Sequence, residues 1–283
     1  MADTGTVVGH VAELWRYPVK SFGGEPIPEA ALDDAGIPGD RRFALRSLES
    51  GKILSAKLPR VGTQLLELGA VLDSATGDVT ITVGDRTVTT ADRAEADAVL
   101  SEHLGQPVRL ESNVAEDDAY ESYWPEVDGV ALSDVTMDFP IALATAKNSF
   151  VDLAALQMVT TASLVRLASL APESAVTTAR FRPSLVIDTD RADTPTTGFV
   201  ENEWVERSAR LGTAMINFSV ASPRCIMTTL AQGGLPRDPT ILRTLAAHNR
   251  LAMAGLGDYA CLGIYAEIAE PGTVAVGDAL VLL

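Results

Sequence analysis

The chain has 283 residues, 47% of them hydrophobic, which is room for one large or two ordinary domains with a substantial core. Its 38 acidic and 22 basic side chains leave a formal net charge of −16, which repels phosphate backbones and speaks against a nucleic-acid partner. No basic and apolar leader pattern opens the chain, no apolar run reaches membrane-spanning length, and His10, His103 and His248 lack metal-ligand spacing, so a soluble cytoplasmic protein without a membrane partner is expected.

Residues 6–15 alternate apolar and polar side chains and predict a strand. It runs into Tyr17-Pro18-Val19-Lys20-Ser21-Phe22-Gly23-Gly24, where Pro18 breaks the ladder and the glycine pair permits a tight turn. Lys20 and Ser21 then stand at a strand end, a place for anion-binding groups or for a solvated lysine. Residues 29–33 and 41–46 read as strands around a turn. On a strand Arg41 and Arg42 face opposite sides, so at most one faces a given site. Residues 52–60 predict a short strand with more cations, followed by short strands at 65–72, 79–83 and 86–90. Such closely spaced strands suggest a small barrel or sandwich. After them Ala96, Val99, Leu100 and Leu104 follow helical spacing, with Asp92 as N-cap and Gly105 as the stop. Residues 113–138 are acidic and irregular, and their aromatics Tyr120, Tyr123 and Trp124 are expected to pack against a domain rather than bind ligand.

In the second half, Leu164, Leu167, Ala168 and Leu170 give one helical face, with Thr160 or Thr161 as the cap and Pro172 as the stop. A helix N-terminus with hydroxyls is an anion site or a simple cap. Arg182 precedes Pro183 and should be extended, ahead of an apolar strand at 185–187. Residues 214–220 alternate as a strand that should end or bulge at Pro223. Arg224 and Cys225 come directly after it. A fixed cation beside a sulfur favours the thiolate, which is both nucleophile and metal ligand; the other reading is a buried core cysteine beside a surface arginine. Asp238-Pro239 starts a helix carrying Ile241, Leu242 and Leu245, with His248 at its C-terminal end, and strands at 259–268 and 279–283 close the chain. Cys261 reads as a small core residue, and two cysteines make no disulfide framework. The chain is thus mostly β with some α (α+β). The expected boundaries are 5–112 for a small β-barrel-like domain, 113–139 for an interdomain crossing and 140–283 for a second β-barrel with flanking helices.

Seven stretches, in order, resemble one family: Tyr17-Pro18-Val19-Lys20-Ser21, Asp40-Arg41-Arg42-Phe43, Ser55-Ala56-Lys57-Leu58-Pro59-Arg60, Thr160-Thr161-Ala162-Ser163-Leu164, Phe181-Arg182-Pro183, Arg224-Cys225-Ile226-Met227-Thr228-Thr229, and Pro271-Gly272 to Gly277-Asp278. The chain is similar to the MOSC proteins, named for the C-terminal domain of molybdenum cofactor sulfurases, in the subgroup with an N-terminal β-barrel domain. That subgroup includes the mitochondrial amidoxime-reducing component and its bacterial relatives. The resemblance implies a molybdenum–molybdopterin cofactor held between the two domains, with Cys225 as catalytic residue and metal ligand. It implies Lys20, Ser21 and Arg41 at the cofactor's phosphate end, and cofactor contacts from Thr161, Ser163, Arg182, Ser184 and Arg224. The family usually has Asn where Ser184 stands, so a hydrogen bond there is lost or carried by water.

The chemistry so implied is reduction of N-hydroxylated compounds, amidoximes and hydroxylamines, by two electrons with oxygen transfer. Electrons are expected from a separate donor protein, because these 283 residues hold no Cys-rich ferredoxin segment and no membrane anchor. Two other roles stay open: a sulfur carrier with a persulfide on Cys225, and a non-catalytic binder of the cofactor or another anionic small molecule.

Overall fold

The computed structural model describes residues 5–123, 136–143, 149–253 and 257–283. Seven strands close into a barrel, in the order Leu156–Thr160, Leu185–Asp188, Thr6–Arg16, Ala279–Leu282, Ser208–Leu211, Ala214–Pro223 and Gly257–Glu270, with the last paired back to the first. Neighbours run antiparallel except Leu156–Thr160 beside Leu185–Asp188, which are parallel and joined through the helix Thr161–Leu170. Val11, Leu14, Met158, Ile187, Ile216, Ile264 and Leu280 fill the interior. Val11 and Leu14 are three residues apart, yet both point inward. A register shift between Val11 and Glu13 supplies the extra residue.

The first strand joins the N-terminal half to the barrel. Residues 5–112 read as one N-terminal unit, but Thr6–Arg16 pairs with Leu185–Asp188 and Ala279–Leu282 and belongs to the C-terminal barrel. Closure is the reason: without it both partner strands would present open edges. Outside the barrel, the helices Thr161–Leu170 and Thr240–His248 bury Leu167, Ile241, Leu242 and Leu245 against Val159, Val186 and Leu262. These side chains recur at three- and four-residue spacing and form the apolar stripe expected of a packed helix.

The rest of the N-terminal half has its own core, with Phe22, Phe43, Leu45, Leu65, Ile81, Val99 and Leu110. Around it lie the meander Gly69–Leu72, Val79–Val83 and Arg86–Thr89, the pair Ala44–Ser47 and Val108–Glu111, and the helix Arg93–Leu104. Asp92 caps that helix by accepting from the Glu95 amide at 3.0 Å, and Gly105 ends it in the left-handed conformation. The strand expected at 52–60 is instead loop and turn with an isolated bridge at Ile53, and a helix, Pro59–Leu66, takes its last two residues and the start of the strand expected at 65–72. Pro59 sits in its first turn, where a missing N–H costs nothing, and Val61, Leu65 and Leu66 fall on one buried face. The irregular crossing contains an antiparallel strand pair, Ala119–Tyr123 with Thr136–Pro140. Trp124 lies outside the described residues.

Candidate functional site

The segments 17–20 and 41–43 are laced together by backbone bonds from Arg41 N to Tyr17 O at 2.7 Å, Phe43 N to Pro18 O at 3.0 Å and Lys20 N to Phe43 O at 2.8 Å. Neither arginine there lies on a strand; Arg41 stands in the turn before Ala44–Ser47. Five non-glycine described residues have a positive φ, and three of them line one pocket: Ser21 at 69°, Arg41 at 45° and Arg182 at 50°. Each such conformation costs on the order of 1 kcal/mol, and such strain clusters at functional sites. Arg182 was expected to be extended before Pro183. Instead it ends the short helix Thr178–Phe181, and its N–H reaches the Thr178 carbonyl at 3.1 Å.

The pocket lies between the two halves. Lys20, Arg41, Lys57, Arg182 and Arg224 all line it. In a chain of net charge −16, that gathering of cations is the local anion pocket such a composition would need. Lys20 Nζ pairs with Asp152 and donates to the Phe150 carbonyl at 2.9 Å. Lys57 Nζ stands 3.1 Å from the other Asp152 oxygen and donates to the Tyr120 hydroxyl at 2.9 Å. Burial outweighs the pairing with Asp152 and brings the Lys20 ammonium down to about 8. Burial also lowers Arg182 to about 10, although Tyr17 opposes the shift. Asp152 is held far below the usual carboxylate range: burial works against this, but Lys20 and Lys57 overcome it.

Ser21 Oγ accepts from the Ala56 amide at 2.9 Å. Ser184, also in the lining, is buried and accepts from the Gln157 amide at 3.4 Å. Gln157 Oε1 is buried, lines the same pocket and has no hydrogen-bond partner. Gly263 permits this crowding: a Cβ there would meet the Met158 carbonyl at 2.3 Å, Gln157 Nε2 at 2.5 Å and Arg224 Nη2 at 3.0 Å.

Cys225 lines an adjoining cavity that shares Lys57, Asp152, Leu153, Arg224, Met227 and Tyr265 with the first. The strand Ala214–Pro223 stops where the sequence places its proline, and Cys225 begins the single 3-10 turn Ile226–Thr229. Arg180 fixes this turn and the loop after it. Its fully buried guanidinium donates to four carbonyls, those of Ala175, Thr228, Leu230 and Pro236. Arg224, expected to favour the Cys225 thiolate, is turned to the core: its guanidinium donates to the Leu262 carbonyl at 2.7 Å and the Phe181 carbonyl at 3.1 Å. Burial pushes the Cys225 thiol up, and Lys57, ahead of Arg224, is the cation that opposes it most.

Thr161 and Ser163 are not in the pocket lining. The helix they start is closed by the protein's own Glu201, a fully buried carboxylate that accepts from Thr160 Oγ1 at 2.7 Å, Ser163 Oγ at 2.6 Å and the Gly263 amide at 2.8 Å. Thr161 Oγ1 lies 3.1 Å from Thr189 Oγ1. Burial pushes the Glu201 carboxyl up, against the hydrogen bonds from Ser163 and Thr160, and its oxygens occupy this N-terminus. Lys20, Ser21, Arg41, Arg182, Ser184 and Arg224 do come together, and Cys225 opens onto the adjoining cavity. Sequence reasoning missed Lys57, Asp152, Gln157 and Arg180 as site residues. Lys57 had a signal, since it lies inside the stretch 55–60; Asp152 sits in an apolar run that pointed to nothing.

Fold and pocket define a two-part β protein that gathers cations, beside a free thiol, where its halves meet. Residues 145–281 match the model of the MOSC domain, and residues 8–125 that of the MOSC N-terminal beta barrel domain. The chain belongs to the MOSC domain proteins that carry this N-terminal domain. MOSC domains are associated with molybdenum-cofactor proteins. No curated protein matches the chain. Among solved structures, the YUAD protein from Bacillus subtilis aligns at 12% identity over 97% of this chain and 94% of its own, with a TM-score of 0.45. YiiM from Escherichia coli aligns at 17% identity over 46% of this chain and 54% of its own, with a TM-score of 0.31. A hypothetical protein aligns at 15% over 48% of this chain and 56% of its own, with a TM-score of 0.34. The chain thus spans about half the length of these last two.

Proposed function

We propose that this protein is a cytoplasmic, molybdenum-cofactor-dependent reductase of N-hydroxylated compounds, amidoximes and hydroxylamines, that takes electrons from a separate donor protein. The observation that carries the reading is the convergence of Lys20, Arg41, Lys57 and Arg182, from both halves, on a pocket that runs into the cavity of a free thiol. The residues fit the group. The cations suit its anionic end, the orphaned Gln157 Oε1 suits an N–H of a nitrogen heterocycle, and a thiolate is a soft ligand for the metal. Among the described residues no cluster of His, Cys, Asp and Glu offers another metal site, and no helix is long and apolar enough to cross a membrane.

In this reading Lys20, Ser21, Arg41 and Arg182 would hold the anionic end, Ser184 and Gln157 would hydrogen-bond the pterin, and Cys225 Sγ would be the protein's ligand to the metal. When bound, the cofactor supplies two-electron reduction with removal of oxygen from an N–O bond. Arg180 and Arg224 orient the Cys225 turn through backbone carbonyls. Lys57 stays protonated and hydrogen-bonds from Nζ to the Tyr120 hydroxyl, beside the cavity where substrate would enter. Tyr259, Tyr265, Met227 and Leu153 exclude water there. The resting Cys225 thiol is pushed up by burial, which weighs against a persulfide carrier. A metal-bound thiol is deprotonated by coordination whatever its resting value.

The test is elemental analysis of protein purified from a host that makes the pterin cofactor, beside a Cys225→Ser variant. Near-stoichiometric molybdenum in the wild type, and at least about tenfold less in the variant, is expected. A metal-free wild type from a host whose control molybdoenzyme is loaded would overturn the reading.

A further inference from the structure

Tyr17 stands behind the wall of cations. It is buried, and it is not among the residues that line the pocket. Two guanidiniums lie over its ring: Arg41 Cζ is 4.7 Å and Arg182 Cζ 4.3 Å from the ring centroid. The two arginines are also tied to each other, because Arg41 Nη2 donates to the Arg182 carbonyl at 3.3 Å. Both stand at left-handed backbone positions, so neither can be aimed by changing its backbone cheaply. Asp40 pairs with Arg41 and also accepts from the Tyr17 amide at 2.7 Å; Arg182 Nη1 donates to the Phe22 carbonyl.

Two like charges brought to one ligand repel each other and need an attraction to hold them. A second carboxylate would supply one, but it would cancel the charge an anion needs. The face of an aromatic ring attracts cations through its quadrupole and carries no net charge. The ring is itself locked in place. A Cβ at Gly24 would fall 2.5 Å from Tyr17 Cδ1 and 2.7 Å from Cε1, so only glycine lets the turn close onto the ring. On another side the Trp15 ring stacks with its centroid at 6.4 Å.

We propose that Tyr17 is a positioning residue whose ring aims the Arg41 and Arg182 guanidiniums into the pocket as one anion-binding pair without adding a second carboxylate to Asp40, so that the pair keeps a net positive charge. The inference rests on the proposed function, in which the pocket takes an anionic group. It assigns the work to the ring face and none to the phenol oxygen.

The experiment is calorimetric titration of the full-length protein with inorganic pyrophosphate at low salt. Tyr17→Phe keeps the ring and should bind within about twofold of the wild type, whereas Tyr17→Leu should bind roughly tenfold more weakly. Gly24→Ala, which leaves the ring in the chain but displaces it, should weaken binding in the same direction. Phenylalanines with one, two and three ring fluorines at position 17 keep the shape and drain the ring face. Affinity should fall stepwise along that series while the thermal midpoint stays level. The series decides the matter even if Tyr17→Leu does not fold. Wild-type binding with an affinity indifferent to ring fluorination would overturn the role of Tyr17 and leave the anion pocket standing. A wild type that binds no pyrophosphate would remove the pocket's proposed ligand and this role with it.

Discussion

At the cation end of the site, Lys20, Arg41 and Arg182 are buried or nearly so and lean on rings and backbone carbonyls. At the thiol end, Cys225 sits among Tyr259, Tyr265, Met227 and Phe139 and is kept protonated by burial. One end assembles charge before any ligand arrives, and strained backbone at Ser21, Arg41 and Arg182 fixes it there. The other end leaves its thiol neutral beside the Lys57–Asp152 pair and is shaped by a proline stop and the Arg180 staple. The difference arises from chemistry: an acidic chain must preassemble positive potential, whereas a thiol acquires its charge when it is coordinated.

The largest expected effect tests the thiol end. Arg180→Met would leave the carbonyls of Ala175, Thr228, Leu230 and Pro236 without their shared donor. A loss of about 2–4 kcal/mol is expected in urea denaturation, together with faster iodoacetamide labelling of Cys225. Unchanged labelling would show that the Cys225 turn is fixed by something else, and that this end is not built by the staple.

The cation end should respond to pH. Lys20 titrates near 8 instead of its ordinary 10.5 because burial disfavours its charge. Between those values the unfolded chain holds a proton that the folded chain has released, so stability rises with pH across the window, by up to about 3 kcal/mol. Over the same window the pocket loses one positive charge, and pyrophosphate affinity should fall. Lys20→Arg, which stays charged, should flatten both curves. Parallel curves for wild type and variant would mean that Lys20 carries no special burden here.

The smallest effect sharpens the role of strain. Ser21→Gly relieves a left-handed backbone but gives up the acceptor for the Ala56 amide. The two terms oppose each other, so denaturation should show a net change within about 1 kcal/mol. Pyrophosphate affinity should drop roughly twofold to threefold as the turn loosens. A clear gain in stability with unchanged affinity would mean the strain serves nothing.

The capped helix after Asp92, the strand that stops at Pro223 and the apolar faces of the outer helices were legible because each depends on neighbours within a turn or two. The helix Pro59–Leu66 overlaps the ends of two expected strands, 52–60 and 65–72, although Pro59 marks its start. Family motifs also named Lys20, Ser21, Arg41, Arg182, Ser184 and Arg224, which line one pocket. They did not say which way a side chain would turn. Arg224 faces core carbonyls, and Thr161 and Ser163 start a helix that Glu201 has already closed.

The sequence by itself determined the mostly β character, the local helix caps, the acidic surface and the residues from which an anion pocket could be assembled. Those properties reside in periodicity, capping and composition, which act over short range or by simple summation. Only the tertiary structure decided that the first strand completes the C-terminal barrel, that Asp152 joins Lys20 to Lys57, and that Lys57 is the cation that most opposes burial at Cys225. Each of these depends on groups dozens to hundreds of residues apart, brought together by barrel closure. No local pattern in the chain encodes that proximity.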